Sequence, residues 1–310
     1  VSLISGKRLS RRLSILFNIA GSLILVIFSA VMLYSKQEFF WQANDFIIPL
    51  SITIDPFAAF FIIITSIVSF CAGIYSFSYV EHLESRKGLF ASLMSFFVLS
   101  IVLVVSTSSL LMFLFFWELM SVASFLLVMS DHKKPETQKA GTFYFIMTQF
   151  STVFLITAFI LIYQHTGSLD IAQIKDIPSS LANIIFALLF VGFGTKAGMI
   201  PFHKWLPYAH PASPSPISAL MSGVMIKVAI YGLLRFLFIF PEHKLWWGVI
   251  ILAFGTISAF LGVIYALKEH DLKRLLAYHS IENIGIILMG IGLYIIFGAF
   301  ELRSIAILSL

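Results

Sequence analysis

The segment GTKAGMIPFHKWLPYAHPASPSPI, residues 194–217, lies between two of the most apolar stretches of the chain. It combines basic side chains with a cluster of prolines, namely Lys196, His203, Lys204 and His210 with Pro201, Pro207, Pro211, Pro214 and Pro216. Proline lacks a backbone donor and clashes with the preceding turn, so a helix has to break at Pro201. Broken backbone at membrane depth is tolerated only where it is buried in protein or lines a cavity. The segment therefore predicts a discontinuous membrane helix, with residues 202–210 as a second half-helix and Lys196 inside the protein.

The composition is that of a membrane protein. Of the 310 residues, 59% are hydrophobic and 11% are charged, and the mean hydropathy is +0.99. Soluble domains carry about 25% charged residues. We therefore predict a multi-pass protein of the cell (plasma) inner membrane, in contact with the lipid bilayer. The net charge of +5 does not require a nucleic-acid partner, because surplus Lys and Arg are typical of cytoplasmic loops.

The apolar runs predict an all-α fold. A membrane helix needs about 20 apolar residues. Nine such runs are found, at 13–33, 56–80, 89–106, 108–130, 138–163, 181–200, 216–240, 246–267 and 274–299. The segment 34–55, which contains Asp45, Pro49 and Asp55, is the only sizeable stretch between them and is interpreted as a short hairpin or a re-entrant cap.

The loop charges alternate along the chain and indicate its orientation. One set of loops carries most of the basic residues, which are Lys7, Arg8, Arg11, Arg12, Arg86, Lys87, Lys133, Lys134, Lys139, Lys204, Lys268, Lys273 and Arg274. The other set carries Lys36, Lys175, Lys244 and Arg303. The more basic set is predicted to face the cytoplasm.

After the loop residues are assigned, five charged residues remain, and they lie inside the spans: Glu118, Lys196, Lys227, Arg235 and Glu282. A charge at the membrane centre costs roughly 2.5–3.5 kcal/mol on insertion scales, so such residues often mark ion or proton paths. The alternative is a side chain that snorkels to the interface or forms a structural ion pair. We favour a functional interpretation for Glu118, Lys196 and Lys227, and anchoring for Arg235.

The histidines leave two interpretations open. His203 and His210 suit proton relays, because imidazole titrates near neutral pH. Either histidine would equally suit a helix cap or a hydrogen bond to a loop carbonyl. His279 and Glu282 are three residues apart on one helical face, so they form either a proton entrance or a solvated helix start.

The sequence offers no cofactor site. Cys71 is the single cysteine, which excludes a disulfide or a cysteine-held cluster within the chain. Walker, dinucleotide-binding and HExxH motifs are absent. We therefore expect no cofactor and no metal in this chain, and no redox centre of its own.

Three motifs resemble one family of membrane subunits. They are FWELMSVASFLLV from residue 116, the segment from Gly194 to Phe236, and ALKEHDLKRLLAYHSIENIGII from residue 266. They resemble the antiporter-like, proton-conducting membrane subunits of complex I, the L, M and N subunits of NADH-quinone oxidoreductase. The HSIENIG form of the third motif looks most like the large membrane subunit of energy-converting nickel–iron hydrogenases of the formate hydrogenlyase type.

The resemblance implies a fold of about fourteen helices with two inverted repeats, each making a half-channel. Residues 1–88 would be N-terminal membrane helices, 89–240 the first half-channel repeat, and 241–310 the start of a truncated second repeat. Glu118, Lys196 and Lys227 match the family's helix glutamate, broken-helix lysine and following lysine. The implied partners are other membrane subunits and peripheral redox subunits. A Na+/H+ antiporter subunit, a stand-alone secondary transporter and a structural membrane anchor remain alternatives.

Overall fold

The structure is a computed structural model that describes residues 8–43, 50–82, 87–240 and 243–310. Within these ranges, nine helical segments are long and apolar enough to cross a membrane, which confirms the predicted number. The elements in chain order are α1 (Arg8–Ser35), β1 (Phe39–Ala43), β2 (Leu50–Ile54), α2 (Pro56–Tyr79), α3 (Lys87–Ser106), α4 (Leu110–Val128), α5 (Pro135–Thr166), α6 (Ser179–Ala197), α7 (Trp205–Ala212), α8 (Ser215–Leu220), α9 (Ile226–Leu237), α10 (Leu245–Lys268), α11 (Leu272–Ala299) and α12 (Arg303–Ser309).

The chain divides into two compact units, and each is described by itself. The first unit comprises Val1–Gly141, Leu169–Ala172 and Ala212–Val228. The second comprises Thr142–Ser168, Gln173–Pro211 and Ala229–Leu310. The division at residues 88 and 240 that the sequence suggests stays a prediction.

A β-hairpin joins α1 to α2 in the first unit. Strands β1 and β2 pair antiparallel, with Phe39 opposite Ile54, which confirms the hairpin interpretation of 34–55. Asp55 then caps α2, because its carboxylate accepts the backbone N–H of Ala58 at 2.7 Å, and Pro56 occupies the first turn. Asp45 and Pro49 lie outside the described residues, as do Lys7 and Arg86.

The predicted span 216–240 is less regular than its apolar run suggests. Residues Met221–Met225 form a π-helical turn between α8 and α9. Such turns insert an extra residue into a helix and often occur at functional sites. Gly223 in this turn lies against α2, where an added Cβ would be 3.2 Å from a methyl of Val68. Hydropathy predicted the span but carries no signal for the π turn.

The break in the second unit occurs where the prolines predicted it, between α6 and α7. The first half-helix ends at Ala197, three residues before the predicted end at 200. Gly198 causes the earlier end, because it takes up a left-handed conformation with φ of 80°. Residues Phe202–Lys204 form one 3₁₀ turn before α7 begins.

Helices α10 and α11 approach each other closely through glycines. A Cβ at Gly255 would lie 2.9 Å from the carbonyl oxygen of Gly285, and one at Gly292 would lie 2.8 Å from that of Gly248. Small residues allow helix backbones to come this near in a membrane. The two helices therefore form a closely packed hairpin in the second unit.

Candidate functional site

The broken helix places one lysine in the interior of the second unit. Lys196 lies in the last turn of α6 and is 1% exposed. Its Nζ lies 3.4 Å from the phenol oxygen of Tyr144 on α5, to which it donates, and 5.4 Å from the centroid of the same ring. A snorkelling lysine would reach the interface instead. The amine is enclosed by protein and in contact with an aromatic ring.

Trp205, the first residue of α7, contacts both Tyr144 and the end of α6. Its ring centroid lies 5.0 Å from that of Tyr144, and its indole N–H donates to the carbonyl oxygen of Thr195 at 2.9 Å. The same carbonyl also accepts the backbone N–H of Gly198 at 3.2 Å, so the indole is a second donor at the end of α6. Sequence reasoning missed both residues, because Tyr144 reads as an ordinary apolar position of the predicted span 138–163 and Trp205 as one of the predicted half-helix 202–210.

A serine on α10 supports the linker between the two half-helices. The backbone N–H of Ile200 donates to the hydroxyl oxygen of Ser258 at 3.0 Å, and Ser258 is fully buried. Backbone groups outside a helix need such partners, because an unpaired donor in an apolar interior is costly. The break is thus held at both of its ends by side chains of the second unit.

The histidines of the segment have different surroundings. His210, on α7, is buried with 2% exposure. His203 is half-buried, and its ring stacks on Tyr265 of α10 at a centroid distance of 6.0 Å and an interplanar angle of 11°. Tyr265 in turn contacts Tyr278 of α11 at 5.5 Å. The structure therefore places His203 at the end of a row of rings that leads to α11.

His279 and Glu282 form a pair on α11. The imidazole Nδ1 lies 2.6 Å from a carboxylate oxygen of Glu282, with His279 exposed and Glu282 half-buried. The backbone of Glu282 also packs on α10, where a Cβ at Gly262 would lie 2.8 Å from its nitrogen. An ion pair on an exposed helix surface contributes little to stability. The two interpretations of this pair, a proton entrance and a solvated helix start, both stay predictions.

Glu118 and Lys227 belong to the first unit. Glu118 lies at the middle of α4 and is half-buried. Lys227 is also half-buried, and its Nζ donates to the carbonyl oxygen of Ser222 at 2.6 Å. That carbonyl belongs to the π turn, so the irregular turn supplies a partner to the lysine. Neither hydropathy nor residue spacing predicts this contact.

The ionisable groups do not form a metal site in the part of the chain that the structure describes. Within those residues, no three His, Cys, Asp or Glu side chains gather closely enough to hold a metal ion. Each unit contains ionisable groups of its own. An amine and an imidazole are buried in the second unit, and a carboxylate and an amine are half-buried in the first.

Comparison with known families gives two matches. Residues 107–306 match the model described as NADH:quinone oxidoreductase/Mrp antiporter, TM. Residues 40–91 match the model described as NADH-Ubiquinone oxidoreductase (complex I), chain 5 N-terminus. The first match covers more than half of the chain, and it confirms the resemblance that the three motifs carried.

Two curated relatives come from Escherichia coli (strain K12). The chain is 40% identical to Hydrogenase-4 component B over 249 residues, which are 78% of this chain and 37% of the relative. It is 33% identical to Formate hydrogenlyase subunit 3 over 251 residues, which are 79% of this chain and 39% of the relative. The chain thus spans about two fifths of the length of these relatives.

A solved structure has the same fold. A chain of the membrane-bound sulfane sulfur reductase, an archaeal respiratory membrane complex, superimposes with a TM-score of 0.84 at 24% identity. The superposition covers 99% of this chain and 65% of the other. This likeness confirms the antiporter-like membrane fold.

Proposed function

Because this chain belongs to the NADH:quinone oxidoreductase/Mrp antiporter transmembrane family, we propose that it moves protons across a membrane as one subunit of a larger redox complex. The observation that carries the proposal is the burial of Lys196 at the end of a broken membrane helix. A charged amine in this position is costly, and such residues line ion pathways more often than they serve packing. The break also provides backbone groups and polar side chains around it.

The residues of the path are assigned from their positions. Lys196 would take up and release the proton at the break. Its amine contacts the hydroxyl of Tyr144, an uncharged group that can hydrogen-bond to the amine in either protonation state. Glu118 and Lys227 would be the titratable groups of the first unit, as the family resemblance implies. His203 and His210 would carry protons to the break, and the pair His279–Glu282 would exchange them with water.

The electrons would be handled elsewhere. The chain has one cysteine and no nucleotide-binding motif, so we assign the redox chemistry to peripheral partner subunits. Two relatives carry the names of hydrogenase and formate hydrogenlyase components, which favours a hydrogenase-type complex in the plasma membrane. Neighbouring membrane subunits would continue the path beyond this chain.

The experiment compares single variants in the intact complex. Glu118→Gln, Lys196→Ala and Lys227→Ala should each abolish or strongly reduce proton translocation into inverted vesicles while the complex still assembles. Lys268→Ala, at an exposed position near the end of α10, is the control and should translocate normally. Unchanged translocation in an assembled Lys196→Ala complex would refute the proposal, because the buried amine would then be a structural feature.

The family description also includes Mrp antiporters, which supports a Na+/H+ antiporter subunit as a second candidate. The two functions differ in their ion requirement. Proton translocation by the complex in sodium-free medium, driven by electron transfer, supports the redox pump. Sodium-dependent proton release without electron transfer supports the antiporter.

A further inference from the structure

Tyr144 contacts the proposed proton site, and neither the motifs nor the family resemblance assigns it to proton transfer. It is 0% exposed on α5, and its hydroxyl oxygen lies 3.4 Å from the Nζ of Lys196. A buried phenol is usually explained by packing. Here the polar end of the ring points to a buried amine that the proposed function requires to change its protonation state.

The chemistry of the phenol suits both states of that amine. An ammonium group has three donors and no acceptor, so it donates to the phenol oxygen. After the proton has left, the amine has a lone pair, and the same hydroxyl can rotate its O–H to donate to it. A carboxylate partner would stabilise only the charged form. The phenol therefore leaves a hydrogen bond in place before and after proton release.

The hydroxyl, and not the ring face, is the part of Tyr144 that meets the amine. The Nζ of Lys196 lies 5.4 Å from the ring centroid but 3.4 Å from the phenol oxygen, so it lies beyond the hydroxyl edge of the ring. Attraction of a cation to an aromatic ring requires a position over its face. It is thus the hydroxyl that can act on both forms of the amine.

Trp205 fixes the phenol in this position. Its ring packs on that of Tyr144 at 5.0 Å, and its indole N–H is bonded to the carbonyl of Thr195, in the residue next to Lys196. The tyrosine is therefore clamped against the same helix end that carries the lysine. Movement of the hydroxyl away from the amine would require the break to rearrange.

We propose that Tyr144 is a positioning residue that keeps Lys196 hydrogen-bonded in both of its protonation states. This inference rests on the proposed function, in which Lys196 takes up and releases a proton. It adds a partner of defined chemistry to that site, an uncharged hydroxyl that both accepts and donates. Loss of the hydroxyl should slow proton exchange without preventing assembly.

The first test is Tyr144→Phe in the intact complex, with Tyr163→Phe as the matched control. Tyr163 lies on the same helix and is 47% exposed, so its hydroxyl is remote from the buried amine. Tyr144→Phe keeps the ring and should lower proton translocation about fivefold, the factor that one hydrogen bond of about 1 kcal/mol represents. The control should translocate at the normal rate. Equal rates in both variants would overturn the proposal.

A second variant separates this role from simple packing. Ring-fluorinated tyrosine, incorporated at position 144, has nearly the shape of tyrosine but a more acidic hydroxyl. The midpoint of the pH dependence of translocation should move further with each added fluorine at 144 and stay fixed with the same residue at 163. An unmoved midpoint at 144 would show that the hydroxyl is structural.

The outcomes distinguish this inference from the proposed function. If Lys196→Ala abolishes translocation but fluorination and Tyr144→Phe leave it unchanged, the proton site stands and the role of Tyr144 is refuted. If an assembled Lys196→Ala complex translocates protons normally, the proposed function is refuted, and the role of Tyr144 that rests on it is refuted with it. A loss in Lys196→Ala and in the Tyr144 variants, with normal translocation in Tyr163→Phe, supports both.

Discussion

The indole nitrogen of Trp205 donates to the carbonyl oxygen of Thr195 across the break between α6 and α7, at a distance of 2.9 Å. The two residues are ten positions apart, and the bond ties the start of the second half-helix to the end of the first. Prolines explain why the helix breaks, but they do not explain why the two halves stay in register. This side-chain bond and the hydrogen bond from the Ile200 N–H to Ser258 explain why the two halves stay in register.

We expect Trp205→Phe to loosen the break. The variant loses the indole donor and part of the packing on Tyr144, so the free energy of unfolding should fall by about 1–2 kcal/mol. The measurement is thermal unfolding of the purified complex in detergent. Trp246→Phe is the control, because Trp246 is 40% exposed and lies outside the break. A stability equal to that of the control would contradict the proposed tie.

Ser258 provides an independent test of the linker. In Ser258→Ala the backbone N–H of Ile200 loses its acceptor, and a buried donor without a partner costs about 1–3 kcal/mol. Thr256→Ala on the same helix is the control, because Thr256 is exposed and its hydroxyl bonds only within α10, to the carbonyl of Leu252. Hydrogen exchange of the 198–204 backbone should accelerate in the first variant. The same exchange rates in both variants would show that the serine does not hold the linker.

The sequence predicted the parts of this fold that depend on composition and on proline. The nine spans follow from the length of apolar runs, and the broken helix follows from Pro201. The contacts of the site depend instead on which helix faces which. Tyr144 and Trp205 are apolar by pattern, and only tertiary packing brings them to Lys196. The π turn near Lys227 was likewise not predicted, because a single irregular turn leaves no recognisable change in the spacing of apolar residues.

Gly285→Ala should destabilise the α10–α11 hairpin. The added Cβ would clash with the backbone nitrogen of Ala259 and lie 2.6 Å from the carbonyl oxygen of Gly255, and neither atom can rotate away. The clash can therefore be relieved only if the two helices move apart. Overpacking of this kind typically lowers the free energy of unfolding by about 1–3 kcal/mol. Thermal unfolding of the complex measures the loss.

Gly298→Ala is the matched control on the same helix. A Cβ at Gly298 would meet nothing within 4 Å, so this substitution should be neutral or stabilise α11 by roughly 0.5–1 kcal/mol. If Gly285→Ala is as stable as Gly298→Ala, the backbones of α10 and α11 do not approach each other as closely as the structure indicates.

His243 should make stability depend on pH. It lies in the loop between α9 and α10, where burial lowers the pKa of its imidazole below the ordinary value and a hydrogen bond to the carbonyl of Leu237 opposes the shift. The unfolded chain therefore takes up the proton first as the pH falls. Stability is fully retained above the ordinary histidine value of about 6.5 and decreases as the pH falls through it towards the lower folded value.

The measurement is the thermal unfolding temperature of the complex between neutral and acidic pH, compared with that of His243→Gln. Glutamine can still donate to the Leu237 carbonyl but does not titrate, so the variant should lose less stability on acidification than the native chain. The difference between the two should vanish in alkaline solution, where the imidazole is neutral in both the folded and the unfolded chain. Parallel curves across the whole range would mean that His243 gains its proton as readily in the folded loop as in water.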